Sequence, residues 1–352
     1  KCRLGISLTC SIRIAVDAMG GEFGPRVTVS ALLACLARHL SVTALVFGDR
    51  LSLEAELSAC TDSSLRSRID VRHTDISVSD HDKPSAVIRT KQSSSMGLAI
   101  KAVSEQEADA CISAGNTGAL MALGLVNLKT LPGISRPAIC TTFPTMSGRT
   151  YVLDLGANID CSPDQLHQFA MLGSLTASLL DDIDDPTVGL LNVGKEETKG
   201  SDDLKFAASL LENDDSINYG GFLEGDEIFK GATDVVVCDG FGGNIALKTS
   251  EGLANMITAM LSGLLSKSWL ARMTAGLASR SFKQLIDKLD PAFYNGAYLL
   301  GLNGVVVKSH GSASEKAFGH ALDVAIEAAE RNLPKALAPL LTTKLSKNIV
   351  NE

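Results

Sequence analysis

Short runs of apolar, largely β-branched residues recur along the chain, and each run ends near a glycine, aspartate or asparagine. Segments with helical hydrophobic periodicity lie between most of them, for example residues 27–37, 165–180 and 202–212. The apolar runs are nearly continuous rather than alternating, which is typical of strands that are covered on both faces. The pattern therefore predicts strands over residues 12–17, 43–49, 110–115, 151–156, 188–194, 234–240 and 304–310.

The alternation of strands and helices predicts an α/β fold, a three-layer αβα arrangement around a mostly parallel sheet. The chain has 352 residues and shows neither a solenoid repeat nor a low-complexity linker. We therefore expect a single αβα domain over residues 12–340. The longest uncharged run, residues 110–128, is interrupted by Ser-Ala-Gly-Asn-Thr-Gly, so it predicts a strand, a turn and a helix rather than a membrane span.

One segment, residues 251–289, has helical periodicity and no strand signal. Its apolar residues recur at helical spacing on one face, and basic residues dominate its second half. We expect a protruding helical hairpin within the domain. Such a hairpin is open to several interpretations: a core element, a dimer face, a foot on a membrane surface or a dock for an acidic partner. Packing in the core and the dimer is the simplest of them.

Charge and cysteine content limit the function classes. Lysine and arginine number 32 against 40 acidic residues, a net charge of −8, which argues against a general nucleic-acid binder. The eight cysteines are scattered, without a C-x-x-C pair or a Cys/His cluster at zinc spacing, and most lie in apolar segments. Reduced thiols in a cytoplasmic protein without a metal site are therefore expected. The first eleven residues lack the sustained apolar stretch of a signal peptide.

The loops that follow the predicted strands carry the candidate chemistry. In a parallel sheet, ligands bind beyond the carboxyl ends of the strands. Glycines there let the backbone approach a ligand, and each following helix presents free N–H groups to an anion. A single glycine-rich turn is usually only a turn. Several at one sheet edge predict an anion site, and they lie at residues 17–21, 115–118, 154–160, 194–200, 239–244 and 310–312.

Better-known motifs are not satisfied. The spacing from Gly189 to Lys195 resembles a Walker A loop, but Glu196 stands where Ser or Thr binds Mg²⁺. Residues 20–24 do not form G-x-G-x-x-G, and no G-x-S-x-G elbow is present. A nucleotide loop and a covalent serine mechanism are therefore not expected. His310 is the one histidine in a glycine-flanked loop after a strand, which makes it a candidate ligand-binding residue.

Together these loops resemble those of the PlsX family of phosphate acyltransferases. The resemblance runs in order from Ile12 to Ala328 and rests on Asp17-Ala-Met-Gly-Gly21, Ser113-Ala-Gly-Asn-Thr-Gly-Ala-Leu120, Leu153-Asp-Leu-Gly-Ala-Asn-Ile-Asp160, Leu190-Leu-Asn-Val-Gly194, Lys199-Gly200, Asp234-Val-Val-Val-Cys-Asp-Gly-Phe-Gly-Gly-Asn244 and His310-Gly-Ser312. It implies a fold similar to that of isocitrate and isopropylmalate dehydrogenases and of phosphotransacetylases.

The resemblance also implies an activity and its partners. The family transfers a fatty acyl group from acyl–acyl carrier protein to inorganic phosphate, and the acyl phosphate serves phospholipid synthesis. The implied protein is a cytoplasmic homodimer, peripherally associated with the membrane, that needs no cofactor and no metal. Its product passes to a downstream glycerol-3-phosphate acyltransferase.

The resemblance assigns the catalytic roles to Lys199 and Asn244. Lys199 is expected to bind phosphate or the oxyanion, and Asn244 is expected to donate to the thioester carbonyl. A solvated loop lysine and a helix N-cap before Ile245 are the competing interpretations. Lys195 lies in the same loop, and the sequence leaves open which of the two lysines faces the site.

The remaining expected contacts bind substrate. Backbone N–H groups of the glycine pair and of the Asn-Thr-Gly turn are expected to cradle phosphate, while the aspartates orient loops and cations. Arg89 and Lys91, in a stretch that resembles the family, either reach the anion or begin a surface helix. The expected substrate-binding set is Asp17, Gly20, Gly21, Arg89, Asn116, Thr117, Gly118, Asp154, Asn158, Asp160 and His310.

The hairpin tip is the expected contact for the carrier protein or the membrane. An acidic carrier protein needs a positive landing surface, and the tip combines basic and apolar residues: Lys267, Trp269, Leu270 and Arg272. The sequence departs from the family pattern at Glu22, Phe222, Asp226 and Asn295. Because two of these departures, Phe222 and Asp226, fall in one loop, we assign that loop no role in the site.

Three other functions compete with this one. A phosphotransacetylase-like enzyme shares the chemistry but uses acyl-CoA. A dehydrogenase of the same broad fold needs a nicotinamide site and usually a divalent metal. A non-enzymatic scaffold for lipid enzymes predicts no phosphate-dependent loss of thioester.

Overall fold

The structure is a computed structural model and describes residues 11–266 and 291–350. The chain divides into two compact units, and neither is continuous in sequence. The first unit comprises Lys1–Leu128 and Gly304–Asn332, and the second comprises Lys129–Asn303 and Leu333–Glu352. In each unit, the structure describes only the residues in the ranges given above. The single domain over residues 12–340 stays a prediction.

The strands alternate with helices along most of the chain. The strands are β1 (Arg13–Asp17), β2 (Thr43–Gly48), β3 (Ile69–His73), β4 (Ala110–Ser113), β5 (Ala138–Pro144), β6 (Arg149–Leu153), β7 (Thr187–Leu191), β8 (Asn218–Leu223), β9 (Val235–Val237), β10 (Ala297–Leu300) and β11 (Val305–Lys308). The α-helices are α1 (Pro25–Arg38), α2 (Arg50–Leu57), α3 (Ser63–Arg66), α4 (Pro84–Thr90), α5 (Ser95–Ser104), α6 (Thr117–Leu128), α7 (Pro163–Asp181), α8 (Asp202–Glu212), α9 (Gly240–Ser266), α10 (Glu315–Glu330) and α11 (Leu333–Val350). Short 3-10 helices cover Gly225–Lys230 and Pro291–Tyr294.

The first unit is built on parallel strands in the order β3-β2-β1-β4-β11. The register pairs Asp17 with Ser113 and Ser113 with Lys308, so the carboxyl ends of β1, β4 and β11 lie at one edge. The inner strands are almost fully buried, which is why their sequences are apolar throughout rather than alternating.

The second unit has the strand order β10-β5-β6-β9-β7-β8. Strand β5 runs antiparallel to both β10 and β6, whereas β6, β9, β7 and β8 are parallel. The register pairs Leu153 with Val237 and Val237 with Leu190, so these three strands end at the same level. Helix α7 covers β9, and a Cβ added at Gly173 would lie 2.5 Å from a methyl carbon of Val235.

The predicted fold class, α/β with a mostly parallel sheet, is confirmed. Each predicted strand is present, and helices α1, α7 and α8 match the three quoted helical segments. Residues 110–128 form β4, a turn and α6, as predicted. The pattern missed four strands: β3, β5, β8 and β10. Three of them have identifiable weaknesses, since β3 is mostly exposed and carries charges, β8 contains two glycines, and β10 has only four residues. Strand β5 is mostly buried and has no such weakness.

Of the expected hairpin over residues 251–289, residues 251–266 belong to α9, and the hairpin itself stays a prediction. The tip residues Lys267, Trp269, Leu270 and Arg272 lie outside the described residues. Across the described ranges, no helix has both the length and the apolar character needed to cross a membrane.

Candidate active site

In the first unit, Asp17 organises the loop that follows β1. Its side chain is 1 % exposed. Oδ2 accepts a 2.6 Å hydrogen bond from Ser113 Oγ, and Oδ1 accepts one of 3.3 Å from the N–H of Met19. Burial raises the pKa of Asp17, and hydrogen bonds to the carboxylate, the strongest from Ser113, oppose that rise. The carboxylate therefore holds backbone and a neighbouring strand together.

The glycine pair in this loop is required by close packing. A Cβ at Gly20 would lie 2.6 Å from the nitrogen of Gly115, and the N–H of Gly20 is directed to Asp17. Gly21 has φ +85°, and a Cβ there would lie 2.9 Å from the carbonyl oxygen of Gly311. The N–H of Glu22 donates to that same oxygen at 2.8 Å. The loops after β1, β4 and β11 are thus packed backbone to backbone.

A small pocket opens beside these glycines. Its wall includes the side chains of Phe23, Val27 and Phe318, which are apolar. The hydroxyl of Thr28 in the same wall donates to main-chain carbonyls, including that of Ala18 at 3.2 Å. An anion bound at this pocket would therefore depend on backbone N–H groups. The N–H of Gly21 is one candidate, since it makes no hydrogen bond to any residue that the structure describes.

Asn116 is the N-cap of α6. Its Oδ1 accepts a 3.0 Å hydrogen bond from the N–H of Ala119, and its Nδ2 donates to the carbonyl oxygen of Asp80 at 2.8 Å. The Asn116 side chain is therefore committed to the fold. Thr117 and Gly118 form the first turn of α6, where backbone N–H groups have no partner inside the helix.

The other expected groups of the first unit differ in their surroundings. Lys91 lies 2.6 Å from the carboxylate of Asp82 and donates to the carbonyl oxygen of Ser77 at 3.0 Å. It therefore holds the segment that contacts Asn116. Arg89 lies exposed in the last turn of α4. His310 is also exposed, and its Nδ1 lies 2.9 Å from Ser312 Oγ.

In the second unit, Asp154 plays the corresponding part after β6. It is fully buried and accepts hydrogen bonds from the N–H groups of Ile139 at 2.8 Å, Ala157 at 3.1 Å and Asn158 at 2.6 Å. Burial raises the pKa of Asp154, and these hydrogen bonds oppose the rise. Asn158 also donates through Nδ2 to Asp154 and to Pro137, so both residues shape the loop. Asp160, at its far end, is exposed.

The start of α9 is packed onto this loop through glycines. The N–H of Gly240 donates to the carbonyl oxygen of Asn158 at 2.8 Å. A Cβ at Gly243 would overlap the carbonyl oxygen of Asp154. Only residues without a side chain fit these two positions, which explains the glycine-rich sequence at the helix start.

Asn244 is exposed on the second turn of α9, directly over Gly156. A Cβ at Gly156 would lie 3.6 Å from Asn244 Oδ1. The Asn244 amide makes no hydrogen bond to any described residue, so its donor is available to a ligand. Its interpretation as a helix N-cap is wrong, because α9 begins at Gly240 and Asp239 caps it by accepting a 2.6 Å hydrogen bond from the N–H of Gly242.

The loop after β7 contains both candidate lysines, and they differ in their partners. Lys195 Nζ lies 2.6 Å from Oε1 of Glu227. Lys199 is exposed, and within the described part of the chain its ammonium group forms no ion pair. Which of the two lysines faces the site stays a prediction, and the difference in their partners favours Lys199.

The strand register aligns the ends of the strands that precede Lys199 and Asn244 in the second unit. Strand β9 lies between β6 and β7, and Leu153, Val237 and Leu190 are aligned neighbours. The loop that carries Lys199 and the helix that carries Asn244 therefore start from the same edge of the sheet. A cation and a free amide donor at such an edge suit an anion and a carbonyl that gains negative charge.

The described residues contain one cluster of possible metal ligands, which the sequence analysis missed: Cys35, His39 and Asp323. Arg38 already pairs with the Asp323 carboxylate, at 2.8 Å from both oxygens. Both carboxylate oxygens are therefore occupied by the guanidinium group and are not available to a metal ion. Burial raises the pKa of the Cys35 thiol to about 12, which keeps it protonated. The cluster therefore serves the packing of α1 on α10 rather than metal binding.

Comparison with known proteins identifies the family. Residues 12–336 match the family described as "Fatty acid synthesis protein". A phosphate acyltransferase of Nitrosococcus oceani is 46% identical over 340 residues, which are 97% of this chain and 99% of the relative. One of Shewanella putrefaciens is 47% identical over 336 residues, 95% and 98% of the two chains. This chain belongs to the phosphate acyltransferase family. The resemblance inferred from its strand-end loops is thereby confirmed, and the protein is an enzyme of the acyltransferase class.

Solved structures show that this chain shares its fold with phosphotransacetylases. The phosphotransacetylase of Streptococcus pyogenes has a TM-score of 0.59 at 16% identity and covers 91% of this chain and 94% of its own. A branched-chain phosphotransacylase of Enterococcus faecalis has a TM-score of 0.58 at 13% identity, with 90% and 99% covered. At such identities the likeness concerns the fold alone.

Proposed function

We propose that this protein transfers a fatty acyl group from acyl–acyl carrier protein to inorganic phosphate, giving an acyl phosphate for phospholipid synthesis. The observation that supports the proposal is a pair of groups without partners among the described residues, the Lys199 ammonium and the Asn244 amide, on segments that start from one edge of the sheet. Membership of the phosphate acyltransferase family supports the same chemistry.

The reaction is an attack of a phosphate oxygen on the thioester carbonyl carbon. A C–O bond forms, the carbonyl oxygen gains negative charge, and the C–S bond then breaks to release the carrier thiolate. Asn244 donates to the developing oxyanion, and Lys199 offsets the charge of the phosphate that approaches it. Because a free thiol has a pKa of about 8.5, the thiolate leaves readily and takes its proton from water.

In the first unit, the N–H groups of Gly21, Thr117 and Gly118 are the proposed backbone donors for an anion. Those of Thr117 and Gly118 lie at the N-terminus of α6, where the helix dipole favours negative charge. Gly20 contributes by close packing, since its own N–H is directed to Asp17. Arg89, which is exposed, and His310, which lies in the loop after β11, complete the proposed substrate contacts.

The partners belong to the proposal as well. We infer acyl carrier protein as the acyl donor, a homodimer as the working form, and a cytoplasmic enzyme that associates with the membrane surface. A glycerol-3-phosphate acyltransferase is the proposed consumer of the acyl phosphate. The carrier or membrane contact at Lys267, Trp269, Leu270 and Arg272 stays a prediction. Liposome flotation of the Leu270→Glu variant tests its membrane part, and unchanged binding would remove the tip from that role.

The decisive experiment measures thioester consumption with and without phosphate. The full chain is incubated with acyl–acyl carrier protein, free thiol is followed with a chromogenic disulfide, and acyl phosphate is trapped as a hydroxamate. Thiol release and hydroxamate should rise together with phosphate concentration. The proposal would be overturned if thiol release did not depend on phosphate concentration, or if no thiol were released.

An enzyme that uses acyl-CoA is the second candidate, favoured by the fold shared with phosphotransacetylases. Both donors in one reaction, with the acyl groups labelled differently, separate the two: the carrier-bound acyl group should be consumed first. Family membership leaves the scaffold and dehydrogenase interpretations without support. The absence of any change in NADH absorbance during turnover would agree with that.

A further inference from the structure

The loop that carries Lys199 has an anchor of its own, Asn192. We call residues 192–200 the Lys199 loop. Asn192 is the first residue after β7, and its N–H donates to the carbonyl oxygen of Leu223 in the neighbouring strand β8 at 2.8 Å. The backbone of Asn192 is therefore fixed to the sheet, and its side chain contacts the loop that follows.

The Asn192 side chain bridges the two ends of the Lys199 loop. Oδ1 accepts a 2.8 Å hydrogen bond from the N–H of Val193, at the start of the loop. Nδ2 donates to the carbonyl oxygen of Lys199 at 3.3 Å, at its end. One side chain thus holds the backbone of the residue that offers the ammonium group.

Gly200 is shaped to receive this side chain. Its φ is +89°, a conformation that favours glycine, and a Cβ there would lie 2.5 Å from Asn192 Oδ1. Lys195 pairs with Glu227 and ties the middle of the loop to the 3-10 helix over Gly225–Lys230. Of the two lysines in the loop, Lys199 is the one whose ammonium group forms no ion pair with a described residue.

We infer that Asn192 is a positioning residue for the reaction proposed above: it holds the Lys199 main chain so that the ammonium group meets the phosphate. This inference rests on the proposed function. It also explains why asparagine suits the position, since the side chain must accept from one main-chain group and donate to another. Aspartate can accept from Val193 but would set a charged oxygen against the Lys199 carbonyl.

The experiment is a double-mutant cycle on phosphate kinetics. Asn192→Ala and Asn192→Asp should each lower kcat/KM for phosphate about fivefold to tenfold, the factor that one lost hydrogen bond represents. In the Lys199→Ala background, Asn192→Ala should cost less than about twofold, because its effect passes through Lys199. Effects that multiply in the double variant would overturn the inference, and so would wild-type kinetics for Asn192→Ala.

Asn213→Ala is the matched control. Asn213 Nδ2 also donates to a main-chain carbonyl, that of Ser209 at 2.7 Å, but at the end of α8. It should leave kcat/KM for phosphate within about twofold of wild type. An equal loss in both variants would mean that Asn192 acts through general stability and would overturn the inference.

Hydrogen exchange supplies a readout that does not depend on activity. Asn192→Ala should speed amide exchange in a peptide that covers residues 193–200, whereas Asn213→Ala should not. Unchanged exchange in that peptide would overturn the inference even if activity fell. If wild type shows no phosphate-dependent thioester loss, the proposed function fails, and the exchange result alone then decides whether Asn192 holds the loop.

Discussion

Lys195 Nζ lies 2.6 Å from Oε1 of Glu227, and this ion pair separates the two lysines of one loop by role. The hydrogen bond from Lys195 lowers the pKa of Glu227, so this carboxyl group is ionised at neutral pH. Lys195 is thus committed to the protein, while Lys199, four positions later, has no ion-pair partner among the described residues. This difference supports the proposal that a substrate anion uses the charge of Lys199.

Replacement of the two lysines should have unequal effects. Lys199→Ala should lower acyl phosphate formation about 100-fold or more, on the scale of one lost oxyanion donor. Lys195→Ala removes a partly exposed ion pair, whose contribution is small, so a loss under about fivefold is expected. Initial rates at saturating acyl donor and varied phosphate measure both. Equal losses would contradict the division of roles.

The free amide of Asn244 leads to a second expectation. Asn244→Ala and Asn244→Asp should each lower kcat about 100-fold and leave the Tm unchanged, since the side chain is exposed and makes no hydrogen bond within the described residues. Thr249→Ala, exposed further along the same helix, is the control and should keep wild-type kcat. A kcat near wild type for Asn244→Asp would remove the amide from the mechanism.

Two glycines of α9 should respond oppositely to the same substitution. Gly243→Ala places a Cβ onto the Asp154 carbonyl oxygen, so a loss of about 1–3 kcal/mol in the free energy of unfolding is expected. A Cβ at Gly252 meets open space, and Gly252→Ala should therefore gain about 0.5–1 kcal/mol through helix propensity. Urea unfolding measures both. Similar changes in the two variants would show that the helix start is not packed on the loop.

The buried carboxyl of Asp17 predicts a pH dependence of stability. Burial raises its pKa, so the folded state binds this proton more tightly than the unfolded state. Its contribution to stability should fall as pH rises from about 4, the ordinary carboxyl value, through the raised folded pKa, and then level off. Asp17→Asn cannot titrate. The difference in free energy of unfolding, wild type minus variant, should therefore decline over that window in urea titrations, and a rise would contradict the assignment.

Local sequence patterns predicted a strand or helix correctly where its own residues carry the signal. The apolar run of β1 and the uncharged run of β4 and α6 were predicted correctly. A strand that is buried on both faces has apolar residues at consecutive positions, and this pattern is visible in the sequence. Strand β8 has no such pattern, since its residues are half exposed and include two glycines. Its strand character comes from pairing with β7.

The loop motifs by themselves were enough to predict the family. Their glycines belong to the signal, since close backbone packing requires glycine at positions such as Gly21 and Gly243. Which polar groups stay available was decided only by the tertiary structure. Asp17 meets Ser113 across 96 positions of sequence, and Lys195 meets a glutamate from another loop. The partner of a loop side chain comes from a distant segment, so local patterns predict which chemical groups are present, and folding decides which of them remain free to act.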